Sequence, residues 1–448
     1  MRRRFRSAAP PPITEPASVP VEPREGLAPV AVTDEHEAAQ LVSEPLGATI
    51  ARVALPAVAS SLLMTLFASV DAFWVGTRIG PAGLAAVSTS VFWIWMMIAL
   101  AEMIGVGLTA VAARRHGENR PDEAARVAGD ALLFTMALGI GVSLIGLIGL
   151  RMAFAVMHTP PEVTALGMRY LGTYLLGTPL IYGFFAVDAA FRSSGDTRTP
   201  FVLLASSVAV TLVLDPALIL GLGPLPRLGI AGAAISTLST RGTVFVLGVV
   251  IAHRRGLLRF GSPRLTRIGA VCRVGLPTAV TGVVFSLIYV AVTRTTTKFG
   301  TPALAALGIG HRVESWLFMV GVGFGAATAA IVGQNLGARD VHRAERAGWL
   351  SLGVCSVFGL VACLMNLAYA ERLAGLFTSD PAVIAEAARY LRIAAISQLC
   401  IGAEIVLEGA LGGAGETVPP MVASTAFTAA RIPLVGWSAE RWGSTGIW

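Results

Sequence analysis

Charged residues are scarce in this 448-residue chain, where only 14% are Asp, Glu, Lys or Arg. Soluble globular proteins average about 25% charged residues. Hydrophobic residues make up 54% of the chain, and its mean hydropathy is +0.71. These proportions exclude an ordinary soluble domain and favour an all-α polytopic protein of the cell membrane, whose spans each need about 20 apolar residues.

Cysteine is also scarce: the chain has four, which all lie inside apolar segments and show no CxxC or metal-ligand spacing. Small buried hydrophobic side chains are the simplest interpretation of these cysteines. The chain also lacks a Walker A loop, an HExxH pair, a GxSxG elbow and paired aspartate-rich motifs. Because these motifs mark nucleotide-driven pumps and several classes of enzyme, we expect neither an enzyme nor a bound cofactor.

The net charge of +7 comes mainly from arginines that lie between apolar runs. With the N-terminus in the cytoplasm, most of these arginines fall in inner loops, and the outer loops hold only Arg78, Arg227, Lys298, Arg372 and Arg441. This asymmetry follows the positive-inside rule. We therefore expect a cytoplasmic N-terminus, a lipid bilayer around the chain and no nucleic-acid partner.

Residues 1–46 are rich in proline and charge and contain no apolar stretch that could form a signal peptide. This composition predicts a disordered cytoplasmic tail. Eleven apolar segments follow, beginning near residues 48, 84, 127, 165, 200, 229, 271, 304, 347, 384 and 420.

The apolar region repeats itself at an offset of 220 or 221 residues. ALPAVAS at 54 returns as GLPTAVT at 275, GPAGLAAV at 80 as GTPALAAL at 300, and GDTRTP at 195 as GETVPP at 415. Because one copy has six spans, both halves enter the membrane in the same direction and are related by a pseudo-two-fold axis. We expect a first lobe at 47–260 with spans 1–6 and a second at 261–448 with spans 7–11. The counterpart of span 6 is missing, which favours a truncated twelve-span protein.

Ionisable residues inside apolar spans are candidates for function, because a charge near the bilayer centre costs about 2.5 to 3.5 kcal/mol or more. Asp71 is one of them, and since Ala291 and Val292 occupy its place in the second half, the span itself does not require a carboxylate. Asp188 and Glu408 share one position of the repeat. The sequence supports two roles for these acids equally: both bond to a neighbouring helix as part of the scaffold, or both line a cavity.

Asp215 stands directly before Pro216, and Thr211 lies one turn earlier. Proline frees a backbone carbonyl within a helix, so a carboxylate, a hydroxyl and a loosened backbone coincide there. Carboxylates that share a low-dielectric cavity cannot all stay ionised, and such a group can carry a proton or coordinate Na⁺. Pro56 and Pro277 match across the repeat and are candidate helix kinks, either as ordinary membrane prolines or as a bend controlled by Asp71.

Four stretches together resemble the multidrug and toxic compound extrusion (MATE) family: VDAFWVGTRIGPAGLAAVS from 70, GAAISTLST from 232, AALGIGHRVESWLFMVGVGFGAATAAIVGQNLGA from 305, and GDTRTP. The resemblance implies a twelve-helix fold of two six-helix lobes around a central cavity. It also implies a secondary antiporter that exports organic cations or amphiphilic compounds in exchange for H⁺ or Na⁺.

Within the family, the chain is more similar to the DinF-like branch than to the NorM-like branch. That resemblance implies an ion-coupling cluster of Asp71, Asp188, Thr211, Asp215 and Thr237, with the three aspartates as a candidate Na⁺ site. Asp188 and Thr211 depart from the branch, where asparagine is usual, so the resemblance does not select the coupling ion.

Trp95 belongs to an aromatic and methionine-rich stretch of the second span, which either packs against lipid or faces aromatic cations. Glu314, Glu404 and Glu408 of the second lobe either bind a substrate's positive charge or balance nearby arginines. We expect small organic cations or amphiphiles as partners and a functional monomer. The alternatives are a flippase of lipid-linked precursors, whose cavity would be lined by arginines, and a membrane scaffold that transports nothing.

Overall fold

The computed structural model describes residues 41–42, 44–79, 81–156, 161–222, 226–378 and 380–448. Their regular structure is entirely helical, with two short 3₁₀ turns at Thr297–Phe299 and Gly443–Gly446. The α-helices are α1 (Leu46–Arg78), α2 (Pro81–Gly117), α3 (Pro121–Val156), α4 (Pro161–Leu176), α5 (Thr178–Ser194), α6 (Arg198–Leu220), α7 (Ile230–Arg254), α8 (Leu265–Thr296), α9 (Thr301–Gly337), α10 (Val341–Gly375), α11 (Pro381–Ala394), α12 (Ser397–Ala414) and α13 (Val418–Trp442).

Eight of these helices are long and apolar enough to cross a membrane, namely α1, α2, α3, α6, α7, α8, α9 and α10. The pairs α4–α5 and α11–α12 raise the number to ten if each pair is one span, since they are bent by 50° and 54° at short breaks. The 25-residue helix α13 occupies the eleventh predicted segment. The prediction of an all-α polytopic membrane protein is confirmed.

The two breaks were not predicted, because hydropathy treats 165–191 and 384–411 as continuous apolar runs. The first break lies at Gly177, and Pro179 follows it near the start of α5. Proline has no N–H to donate to the preceding turn, so it begins a new helix more easily than it continues an old one. The second break falls at Ala395 and Ile396, where neither residue is a glycine or a proline.

Helix packing repeats between the halves in the same order as the sequence. In the first half α2 packs against α3, α4 and α5, and α1 packs against α6. In the second half α9 packs against α10, α11 and α12, and α8 packs against α13. Between the halves, the contact of α2 with α8 corresponds to that of α9 with α1, and the contact of α2 with α12 corresponds to that of α9 with α5. This pattern confirms the predicted pseudo-two-fold relation of two helical lobes.

The pseudo-two-fold axis passes through a close crossing of α2 and α9. A Cβ atom on Gly117 would lie 1.9 Å from the carbonyl oxygen of Gln334, and one on Gly337 would lie 2.2 Å from that of Arg114. These two contacts are equivalent under the 220-residue repeat. Only glycine permits so close an approach of two backbones, and the crossing brings the lobes together at the end that carries the arginine-rich loops.

Further close approaches between the lobes lie deeper in the bundle. A Cβ atom on Gly107 of α2 would lie 2.1 Å from the carbonyl oxygen of Val271 of α8. A Cβ atom on Gly323 of α9 would lie 2.4 Å from the Cα atom of Val58 of α1. We call the end of the bundle at which α2 and α9 cross the arginine-rich end of the protein.

The linker between α7 and α8 is ordered against the first lobe, although its sequence suggested only a long loop. Leu257 and Leu258 are buried in the first lobe's core. The backbone N–H of Arg259 donates to the carbonyl oxygen of Ala125 at 3.0 Å. A Cβ atom on Gly129 would lie only 2.2 Å from the carbonyl oxygen of Arg259, so the linker crosses α3 at a glycine.

Part of the predicted tail is also ordered. Leu41 is fully buried in a cluster with residues of α1, α9, α10 and α12. The guanidinium of Arg343 donates to the carbonyl oxygens of Leu41, at 3.2 Å, and Glu44. Residues 41–42 and 44–46 therefore pack against the bundle. The remainder of the predicted tail, residues 1–40 and 43, lies outside the described residues.

Candidate functional site

A buried polar seam joins α6 and α7 in the first lobe, and we call it the α6–α7 seam. None of its side chains is more than 4% exposed. Its members are Ser207, Thr211, Asp215, Ser236, Thr237 and Thr240. The Oγ1 atoms of Thr211 and Thr240 lie 3.0 Å apart, within hydrogen-bond distance.

Helical periodicity explains how the seam forms. Residues 207, 211 and 215 are spaced by four and lie on one face of α6, and residues 236 and 240 do the same on α7. The helices approach closely at Gly232, where a Cβ atom would lie 2.7 Å from the carbonyl oxygen of Leu218. Residue 218 meets residue 232, and residue 211 meets residue 240, so α6 and α7 run antiparallel. Asp215, which lies between 211 and 218, is therefore across from Ser236.

The seam places hydroxyl oxygen atoms on the same helix faces as a buried carboxylate. Asp215 is fully buried, and the following Pro216 leaves the carbonyl of Leu212 without its helical N–H donor. Among the described residues, the hydroxyls of Ser207 and Ser236 are buried without a hydrogen-bond partner. Oxygen atoms are the ligands that hard cations prefer, and a buried carboxylate also takes up a proton readily.

Asp71 lies on α1, and α1 packs against α6. The side chain of Asp71 is outside the described part of the chain, so its place beside the seam stays a prediction. Arg241, on α7, is buried against α1, where it donates to the sulfur of Met64 at 3.3 Å and lies 5.0 Å from the ring centre of Phe67.

Asp188 does not join the α6–α7 seam in any described contact. It is buried on α5 and forms an ion pair with Arg192, one turn later on the same helix. Arg192 also attracts the carboxylate of Glu102 on α2. Glu408, at the same position of the repeat, has Gly412 one turn later and therefore no equivalent of this ion pair. This arrangement supports a structural role for Asp188.

Glu102 shares one face of α2 with Trp95, because the two residues are seven positions apart. Both side chains are exposed, Trp95 to 49%. Between them on this face, Ala99 meets α8, with its Cβ atom 3.3 Å from the position of a Cβ on Gly282. Trp95 and Glu102 therefore lie on the side of α2 that faces the second lobe. The sequence suggested Trp95, whereas Glu102 was only one of several charges inside spans.

Glu314 is the centre of a polar cluster in the second lobe. Its two carboxylate oxygens accept hydrogen bonds from the hydroxyl of Tyr390 at 2.9 Å and from the amide of Gln398 at 3.1 Å. His311 Nδ1 lies 3.8 Å away, and Arg431 acts electrostatically on both Glu314 and His311. The hydrogen bonds of the cluster thus tie α9 to α11 and α12.

The other predicted acids of the second lobe lie apart from this hydrogen-bonded cluster. Glu404 is exposed on α12 and accepts a hydrogen bond from the hydroxyl of Ser424 at 3.2 Å. Glu408 lies one turn further along α12 and is half-buried beside it. The structure therefore does not gather Glu314, Glu404 and Glu408 into a single hydrogen-bonded site among the described contacts.

Pro56 lies inside α1 and Pro277 lies inside α8, as the repeat suggested. The same hydrogen bonds flank both prolines: Thr197 to the carbonyl of Val53 at 2.8 Å, and Thr417 to the carbonyl of Val274 at 2.6 Å. Each threonine belongs to the loop that begins α6 or α13. Bending at the two prolines stays a prediction. The structure shows which loops bond the helix beside each proline, namely those before α6 and α13.

Comparisons with known proteins agree with this architecture. A family model described as MatE matches residues 56–217 and 277–436, one match in each half. The probable multidrug resistance protein YoeA of Bacillus subtilis (strain 168) is 27% identical over 378 residues, which cover 83% of this chain and 82% of that protein. The FAD transporter of Shewanella oneidensis is 28% identical over 378 residues, or 83% of each chain.

Solved structures show the same fold. A MATE family transporter of the MOP superfamily in an outward-facing conformation superposes with a TM-score of 0.85 at 22% identity and covers 92% of each chain. A MOP superfamily transporter from Pyrococcus furiosus Vc1 (DSM3638) has the same TM-score and identity, and covers 92% of this chain and 93% of its own.

Proposed function

Since the chain belongs to the MatE family, we propose that it is a secondary active antiporter that exports organic cations or amphiphilic compounds in exchange for H⁺ or Na⁺. Relatives named as multidrug resistance proteins support the class of substrate. The α6–α7 seam carries the proposal, because it places a fully buried carboxylate on the same buried seam as five hydroxyl-bearing side chains.

Asp215 is the coupling group in this proposal. Neutralisation by a proton or by Na⁺ lowers the cost of holding a carboxylate at this depth, so occupancy by the ion is coupled to the packing of α6 on α7. The hydroxyls of Thr211, Thr237 and Thr240 supply further oxygen atoms. Asp71 is the proposed second coupling group, because α1 packs against α6. Asp188 is assigned to the scaffold, since Arg192 balances its charge.

Closure at the arginine-rich end indicates the state of the transport cycle. With the N-terminus in the cytoplasm, this end faces the cytoplasm, so we assign the structure to an outward-facing state. Parallel repeats move as two bodies around a site near the bilayer midplane. In such a cycle the ion enters from outside in this state, and the lobes then separate at the arginine-rich end to admit the substrate.

Trp95 and Glu102 form the proposed substrate surface of the first lobe. An exposed aromatic ring and an exposed carboxylate on one helix face suit an organic cation, through cation–π attraction and charge. Glu314, Glu404 and Glu408 are proposed as secondary contacts on the opposite lobe. A monomer suffices for this function, because one chain supplies both lobes. Membership of the DinF-like branch stays a prediction.

A second candidate function is the movement of a phosphate-bearing compound, such as a lipid-linked precursor. Arg241 favours it, because this arginine is buried in the first lobe, where its described contacts are with the apolar side chains of Met64 and Phe67. FAD, which appears in the name of one relative, also carries phosphate. Arg241→Gln should abolish transport of such a cargo and leave efflux of an organic cation intact.

The test uses purified protein in proteoliposomes with a fluorescent organic cation, ethidium, and either a pH gradient or a Na⁺ gradient alone. We expect one gradient to drive ethidium transport and Asp215→Asn to abolish the dependence on it. Asp122→Asn is the matched control, because Asp122 forms only an exposed ion pair with Arg259. Transport by Asp215→Asn at the wild-type rate and with the wild-type ion dependence would overturn the assignment. Absence of any gradient-driven transport would support a non-transporting scaffold.

A further inference from the structure

An ion pair joins the two lobes at the arginine-rich end. Arg267, in the first turn of α8, lies with its Nη1 atom 3.1 Å from Oδ2 of Asp130 on α3. The same oxygen accepts the backbone N–H of Arg264 at 3.3 Å. Asp130 is 2% exposed. This is therefore a buried contact between a helix of the first half and a helix of the second.

The repeat shows that this ion pair is not a requirement of the fold. The positions equivalent to Asp130 and Arg267 in the other half are Leu350 and Leu46. The corresponding helices, α10 and α1, still pack against each other. Among the described residues, an Asp–Arg pair therefore joins these helices on one side of the pseudo-two-fold axis only, whereas on the other side Arg343 of α10 donates to the backbone carbonyls of Leu41 and Glu44.

A second one-sided contact lies beside the crossing of α2 and α9. The side-chain amide of Gln334 on α9 donates to the carbonyl oxygen of Ser193 on α5 at 2.7 Å, and Gln334 is fully buried. The equivalent of Gln334 in the repeat is Arg114, which is instead largely exposed and pairs with Glu118 at 3.5 Å, and the equivalent of Ser193 is Gly413. Both one-sided contacts therefore lie at the closed end.

We propose that the Asp130–Arg267 ion pair, assisted by the Gln334–Ser193 hydrogen bond, is a latch that keeps the lobes closed at the arginine-rich end. This inference rests on the proposed function, in which the lobes separate there during transport. Its physical basis is that α8 cannot leave α3 without breaking a charge-assisted hydrogen bond of 3.1 Å between Arg267 and Asp130.

The linker determines which contact of Asp130 breaks when the lobes separate. Arg255 binds Asp196 at 2.7 Å, and Arg259 is held through its backbone to Ala125, so the linker stays with the first lobe. Arg264 also stays close to Asp130 through its backbone N–H. Separation of the lobes therefore breaks the contact of Arg267 and bends the chain between residues 264 and 267.

The latch can be tested by distance measurements on the full chain in lipid nanodiscs, without substrate or gradient. Spin labels at Arg126→Cys and Arg346→Cys report on the gap, because both positions are exposed and equivalent in the repeat. The native cysteines are replaced by alanine: Cys272, Cys355, Cys363 and Cys400. We expect Asp130→Asn and Arg267→Gln each to raise the ratio of the long-distance to the short-distance population about tenfold, which is about 1.4 kcal/mol.

The double variant should shift the population no further than either single variant, because both remove one shared interaction. Arg392→Gln is the control, since it breaks an arginine–carboxylate pair with Glu371 between α10 and α11, inside the second lobe. It should leave the distances unchanged. Wild-type distances in both latch variants, or an equal shift in Arg392→Gln, would overturn the latch. Because no gradient is applied, this result does not depend on whether Asp215 couples an ion to transport.

Discussion

Replacement of Gly117 by alanine should open the arginine-rich end of the protein. The new Cβ atom would lie 1.9 Å from the carbonyl oxygen of Gln334. Nonbonded heavy atoms keep an optimal separation of about 3.5 Å. To restore that separation, α2 and α9 must move apart by roughly 1.5 Å at the crossing. Overpacking of this kind costs about 1–3 kcal/mol. Only the closed state contains this clash, so the substitution should shift the equilibrium between the closed and open states about 5- to 150-fold toward the open state.

The assay is the spin-label distance between positions 126 and 346, followed by ethidium transport in proteoliposomes. Gly337→Ala should reproduce the effect, because its Cβ atom would lie 2.2 Å from the carbonyl oxygen of Arg114. Gly149→Ala is the control, since a Cβ atom at this helical glycine of α3 meets nothing within 4 Å. If Gly117→Ala gave the same distances as Gly149→Ala, the crossing would not control closure and the reasoning would fail.

Two further substitutions separate structural from functional charges. Arg192→Gln leaves Asp188 buried without its arginine and should destabilise the first lobe by about 3 kcal/mol, the low end for a broken buried pair, because Arg192 is 29% exposed. Thermal unfolding in detergent measures this loss, and Asp188→Asn in the same chain should restore part of it; no recovery would contradict the pairing. Glu102→Gln should raise KM for ethidium severalfold with little change in Tm, whereas an unchanged KM would remove Glu102 from the substrate surface.

Several features of the site could have been predicted from spacing alone. Residues 207, 211 and 215 recur every four positions, and Asp188 and Arg192 stand four apart on one helix, so both patterns were visible in the sequence. Helical periodicity places such residues on one face without any tertiary information. By contrast, the partners of Glu314 lie 76 and 84 residues away, and no local pattern links them.

The sequence by itself determined that the chain spans a membrane, that it consists of helices and that its halves repeat. These properties follow from composition and local periodicity, because a bilayer accepts only apolar segments whose backbone groups are bonded internally. Tertiary structure alone decided that the lobes close at the arginine-rich end and that Asp130 meets Arg267 there. It also decided that Asp215 is buried on the face of α6 whose Thr211 meets Thr240 of α7. Such contacts depend on where helices cross, and a crossing is set by a glycine such as Gly117 against the backbone of Gln334, which is far away in the chain.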